Sequence, residues 1–140
     1  MLLSRLREEV LEANLELVRR GLVLFTFGNA SGISREDALV VIKPSGIPYQ
    51  GMKPADLVVT DLNGKIVEGV LRPSSDLPTH IILYKAFPQI GGVSHTHSEY
   101  ATAGPGSSTN SLLRHYPRGL FSWARSRYPT AERSGNRECL

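Results

Sequence analysis

The chain has 140 residues, with 16 Lys+Arg against 13 Asp+Glu and a formal net charge of +3. That length suits one globular domain, and a hydrophobic fraction of 41% beside 21% charged residues excludes wholesale disorder. No apolar run reaches the roughly 18 residues of a membrane span, and the charged start (Arg5, Arg7, Glu8, Glu9) is unlike a signal peptide. The single cysteine, Cys139, excludes an internal disulfide framework and any multi-cysteine zinc site, so a reducing, cytoplasmic location is expected.

In chain order, Leu3, Leu6, Val10, Ala13 and Leu17 form an apolar stripe that Leu11, Leu15 and Val18 widen. This predicts an amphipathic helix from about Leu3 to Arg20, with Gly21 at the position of a C-terminal cap. Leu22–Phe27 reads as a buried strand, followed by the small polar turn Gly28-Asn29-Ala30-Ser31. Leu39–Lys43 is a β-branched strand stopped by Pro44-Ser45-Gly46. Leu57–Thr60 and Lys65–Glu68 flank Asp61-Leu62-Asn63-Gly64 as a hairpin. Pro78–Phe87 predicts a short helix with Pro88 just beyond it, and Ile90–Thr96 a further strand. Helices and strands without a repeat place the chain in the α/β or α+β class, around one sheet.

The strongest chemical signal is Gly91-Gly92-Val93-Ser94-His95-Thr96-His97. Histidines two apart on a strand project from one face, so both imidazoles can reach one metal ion. The second signal is Arg72-Pro73-Ser74-Ser75-Asp76-Leu77-Pro78-Thr79-His80. Hydroxyls and free backbone N–H groups before a helix suit a phosphate or carboxylate, although Ser and Asp are also the preferred capping residues. By itself that stretch reads better as capping, and His80 better as a packed or orienting residue than as a ligand. Gly28-Asn29-Ala30-Ser31 and Lys43-Pro44-Ser45-Gly46 are weaker signals of the same character, small-residue turns whose N–H groups can approach an anion.

Taken in order, Gly28-Asn29-Ala30-Ser31, Ile42-Lys43-Pro44-Ser45-Gly46, Val67-Glu68-Gly69, the Pro73–His80 segment and His95-Thr96-His97-Ser98 resemble the class II aldolase/adducin family, and its epimerase branch most closely. The resemblance runs from about residue 5 to residue 102. It implies a three-layer α/β/α domain with a central, mostly antiparallel sheet, incomplete at the C-terminus. It implies that Gly28, Asn29, Ser45, Gly46, Ser74 and Ser75 hold a substrate phosphate. It places one divalent metal, zinc above all, on His95 and His97 with Asp76, which also carries a catalytic role. Aldolases of the family usually have Glu after the paired serines, and the Asp followed by Pro-Thr-His resembles the epimerase pattern. The implied reaction is interconversion of L-ribulose 5-phosphate and D-xylulose 5-phosphate in pentose catabolism. Retro-aldol cleavage of C3–C4 leaves an enediolate that a divalent cation can stabilise, and the bond re-forms after the aldehyde fragment turns. An aldolase of fuculose- or rhamnulose-phosphate type is the alternative, as is a non-catalytic adducin-like binding domain. The expected partners are a phosphorylated pentulose and further copies of the chain, a tetramer in intact family members, with no nucleic acid and no membrane.

Composition changes near residue 102. Residues 1–101 hold 10 Val and 7 Ile, and residues 102–140 hold neither. Residues 1–101 carry 10 Lys+Arg and 11 Asp+Glu, whereas residues 102–140 carry 6 Arg, no Lys and 2 Glu. The basic character therefore belongs to the last segment, which has little from which to build a strand. A flexible tail and an Arg/aromatic nucleic-acid arm are two readings of it. The break coincides with the end of the resemblance, so the expectation is a non-homologous, disordered or out-of-frame continuation over 103–140. The later metal-binding histidine and acid/base residues of the family have no match there, and His115 lacks their surrounding pattern. Little or no activity is expected of the chain by itself.

Overall fold

The computed structural model describes residues 1–96 and the main chain of residues 120–123. Helix α1 (Ser4–Arg19) follows the apolar stripe, and Gly21 just past it takes the left-handed φ of +64° that ends helices. Strands β1 (Asn29–Ser34) and β2 (Leu39–Ile42) come next, then the hairpin β3 (Val58–Asp61) and β4 (Ile66–Glu68). Helix α2 (Leu77–Ala86) precedes β5 (Gly92–His95), and β6 (Leu120–Trp123) closes the order. The strands form one sheet in the order β4-β3-β2-β1-β5-β6, with every neighbouring pair antiparallel.

One helix covers each face of the sheet, giving three α/β/α layers. Strand alternation divides the core accordingly. Val40, Ile42, Val58 and Val93 pack with Leu77, Ile81 and Tyr84 of α2. Val41, Leu57 and Val59 pack with Val10 of α1, Tyr49 and Met52. The α1 layer sits close to β1, because a Cβ on Gly32 would lie 2.8 Å from both Leu6 Cδ1 and Val10 Cγ2. Glycine is what lets the helix approach there.

Two buried polar residues of α1 interrupt its apolar stripe. Arg7, 1% exposed, donates to the carbonyls of Leu2, Pro54 and Leu57 and to the Glu68 carboxylate. Asn14 clips both backbone groups of Ala30: its amide nitrogen donates to the carbonyl and its oxygen accepts the N–H. Both residues therefore tie α1 to distant main chain.

Three expectations from the sequence are corrected. Leu22–Phe27 is not a buried strand: Leu22, Leu24, Phe25 and Phe27 are exposed, and Phe25 has a positive φ of 54°. The central strand begins instead at Asn29, so Asn29-Ala30-Ser31 is strand rather than turn. Its small and polar residues suit a strand that must admit α1 on one side and carry polar contacts on the other. The last segment does contribute a strand, for β6 pairs along β5 from His95↔Leu120 to Gly92↔Trp123. Backbone pairing requires no β-branched residue, and aromatics such as Phe121 and Trp123 are strand formers too.

Candidate functional site

The site lies on the α2 face, where the start of β1, the end of β5 and the N-terminus of α2 meet. Asn29 and His95 are cross-strand partners, so their side chains stand side by side. Asp76 occupies the N-cap position of α2, yet its side chain makes no capping hydrogen bond. The capping reading of Asp76 is therefore corrected. Its Oδ2 accepts instead from Asn29 Nδ2 at 2.8 Å and lies 2.8 Å from His95 Nδ1. Ser74 adds its hydroxyl, 3.3 Å from Asp76 Oδ2 and 3.1 Å from Asn29 Nδ2.

Beside this cluster the two small-residue loops are laced together. Ser45 N–H donates to the Arg72 carbonyl and Ser74 N–H to the Lys43 carbonyl. They border a cleft of about 270 Å³ lined by Thr26, Phe27, Gly28, Asn29, Lys43, Pro44, Ser45, Gly46, Ser74, Ser75 and Asp76. All six residues expected to hold a phosphate thus share one cavity wall with Asp76. Gly28 is fixed by geometry, with φ +80° and a position whose Cβ would meet Val23 Cγ1 at 2.6 Å and the His95 carbonyl at 2.9 Å. His97, the second expected imidazole, lies outside the described residues.

Electrostatics divide the site. Burial opposes ionisation of Asp76, but the hydrogen bond and charge of His95 and the Asn29 amide outweigh it and hold the carboxyl down at about 2. Burial pushes His80 down to about 4, against the pull of the Asp76 charge, so its imidazole is neutral near pH 7. Burial also lowers the Lys43 ammonium. Its Nζ stands 4.6 Å from the Tyr49 ring centroid and 3.3 Å from the Pro44 carbonyl, and it forms no ion pair among the described residues. Tyr49 in turn donates its hydroxyl to the carbonyls of Phe27 and Gly28. Lys43 and Tyr49 are functional candidates that sequence reasoning did not single out. A lysine closing a β-branched strand just before Pro-Ser-Gly was the available signal for Lys43, and Tyr49 carried none.

A divalent metal fits the donors present in type. Asp76 supplies a carboxylate and His95 an imidazole, with Oδ2 of the one 2.8 Å from Nδ1 of the other, so an oxygen and a nitrogen donor stand together. Among the described residues, no group of three or more such side chains converges.

The family with which this geometry agrees is matched over residues 8–113, as the Class II Aldolase and Adducin N-terminal domain. The chain belongs to that family. Among solved structures, an L-fuculose 1-phosphate aldolase is 39% identical, with a TM-score of 0.68 over 73% of this chain and 48% of that one. YgbL from Klebsiella pneumoniae, described as a putative aldolase/epimerase/decarboxylase, is 29% identical at TM-score 0.64 over 71% and 47%. An L-fuculose-1-phosphate aldolase from Thermus thermophilus is 27% identical at TM-score 0.57 over 71% and 49%. The chain spans about half the length of these relatives. The family match extends past residue 102, where the motif resemblance stops, to residue 113. Among the described residues no helix is long and apolar enough to cross a membrane.

Proposed function

We propose that the cleft binds a sugar phosphate and that the protein performs metal-dependent epimerisation of L-ribulose 5-phosphate to D-xylulose 5-phosphate, the reaction of an L-ribulose-5-phosphate 4-epimerase. The observation that carries this reading is the convergence of Gly28, Ser45, Gly46, Ser74 and Ser75 on one cleft whose wall includes Asp76. The side-chain hydroxyls of Ser45 and Ser75 and the backbone N–H groups of Gly46 and Ser75 supply donors for a phosphate, while the N–H groups of Ser45 and Ser74 hold the two loops together. Lys43 adds a cation held among them. Asn29 has its amide nitrogen committed to Asp76 and Ser74, so its side chain serves to orient Asp76.

Asp76, His95 and, outside the described residues, His97 would hold a divalent cation, zinc by donor type. Bound there, such an ion supplies Lewis-acid stabilisation of the negative charge that develops on oxygen as a carbon–carbon bond breaks. A carboxyl held near 2 suits a group that stays ionised beside His95 and can face a cation. A proton shuttle works best with a value nearer neutrality. Phosphate held on the two-carbon aldehyde fragment would keep that fragment in place while it turns. Self-assembly is part of the proposal, and exposed Phe25 and Phe27, stacked edge to face, offer apolar surface for it.

A second reading, cleavage by a fuculose-phosphate type aldolase, is favoured by the 39% identity to such an enzyme. Product analysis separates the two. Incubation of the chain with zinc and L-ribulose 5-phosphate is expected to give D-xylulose 5-phosphate, in low yield. Release of dihydroxyacetone and glycolaldehyde phosphate, or faster cleavage of L-fuculose 1-phosphate, would support the aldolase. Failure to bind any divalent metal would contradict both and leave a binding domain.

A further inference from the structure

Below the cleft, α2 and β1 meet along a ladder of polar side chains. Asp76, His80 and Tyr84 follow at intervals of four and form one stripe of the helix. Asn29 and Ser31, two apart, stand on one face of the strand. The first rung is Asn29 to Asp76. The second is Ser31, whose Oγ lies 2.7 Å from His80 Nδ1 and 2.7 Å from Tyr84 Oη. His80 and Tyr84 are fully buried and Ser31 is 1% exposed.

The ladder has few protons to distribute. Among the described residues the one hydrogen-bond partner of Tyr84 Oη is Ser31 Oγ, so the tyrosine proton is satisfied only by going to Ser31. Ser31 then has one proton left to give, and its other neighbour is His80 Nδ1. A neutral imidazole that accepts at Nδ1 must carry its proton on Nε2. That nitrogen is buried and has no hydrogen-bond partner among the described residues. A buried donor kept in this state is costly and needs surroundings that fix it.

We propose that Tyr84 and Ser31 lock His80 as the Nε2–H tautomer, and that His80 is thereby a positioning residue for the Asp76–His95 pair. The connection runs through the helix. His80 N–H donates to the Asp76 carbonyl, and a ring pinned at Ser31 sets the rotation of α2 about its axis. That rotation places the Asp76 carboxylate within 2.8 Å of both Asn29 and His95. The inference rests on the metal-site reading above for its consequence, although the tautomer itself does not.

The test uses the full chain in two measurements. Long-range nitrogen–proton NMR of its histidines reads the tautomer without any metal. His80 is expected as Nε2–H in the wild type and in Ser31→Thr, which keeps the hydroxyl, and as a tautomer mixture in Ser31→Ala. Zinc titration then reads the positioning. Ser31→Ala and His80→Ala are expected to weaken zinc binding about 10-fold or more, in line with the loss of groups that orient a metal ligand, while Ser31→Thr binds as wild type. Thermal unfolding of each variant identifies any that fail to fold, and the tautomer of His80 in the wild-type chain, read without any substitution, then carries the test. A Nδ1–H tautomer in the wild type, or Ser31→Ala leaving both tautomer and zinc affinity unchanged, would overturn the proposal. A wild-type chain that shows the Nε2–H tautomer but no zinc binding overturns the metal-site reading and the positioning role, leaving only the tautomer lock.

Discussion

The two faces of the sheet treat buried polar groups in opposite ways. On the α1 face, Arg7 and Asn14 are buried and bonded to main chain on neighbouring elements. On the α2 face, Asn29 Oδ1 and His80 Nε2 are buried without a hydrogen-bond partner among the described residues. Buried polar groups that are fully satisfied stabilise a fold, whereas groups left waiting mark places where stability is traded for chemistry. The first face is a clamp and the second is a site, and that contrast can be broken or sharpened by experiment.

The largest effect belongs to the clamp. Arg7→Ala removes four hydrogen bonds and strands buried carbonyls, and should lower unfolding free energy by about 3–4 kcal/mol in urea titrations. On the site face, acidification should cost nearly as much. The unfolded chain protonates His80 near 6.5 and the folded chain only near 4, so stability is full above pH 6.5 and falls as pH drops through that window. The loss approaches about 3 kcal/mol by pH 4, and Asp76 adds a further loss between 3.8 and about 2. Denaturation at stepped pH reads both, and a His80→Gln variant should flatten the upper part of the curve.

Asn14→Ala should cost about 2 kcal/mol, since it unpairs both backbone groups of Ala30. The smallest effect lies outside both faces. Arg20→Ala breaks an exposed pair with Glu16 and should change stability by no more than about 0.5 kcal/mol. An Arg20 effect as large as that of Asn14 would erase the distinction between surface and clamp.

The same contrast explains which parts of the fold were legible in the sequence. Helix α1, strand β2, the β3–β4 hairpin, α2 and β5 follow apolar periodicity and turn chemistry, and they form where those signals place them. Strand β1 does not, because Asn29, Ser31 and Gly32 are chosen for the site and for the approach of α1 rather than for strand propensity. Leu22–Phe27 misleads in the opposite direction, an apolar run that leaves its largest side chains in solvent. Apolar residues on a surface are common, so a short run alone does not establish burial. The buried Arg7 and Asn14 were invisible because their partners are main-chain groups far along the chain. In the site, the small-residue motifs gather on one cleft, whereas the resemblance named Asp76 and His95 only as ligands of one metal and did not foretell their direct contact. The Tyr84–Ser31–His80 chain needed three dimensions, since its members lie on two elements about 50 positions apart.

The central claim is that the cleft beside Asp76 binds phosphate. An amide NMR titration of the full chain with L-ribulose 5-phosphate, run against unphosphorylated L-ribulose, tests it most directly. The account predicts saturable shifts at Gly28, Gly46 and Ser75 with the phosphate ester, reduced by Lys43→Met, and none with the free sugar. Equal shifts with both sugars, or shifts confined to the α1 face, would contradict it.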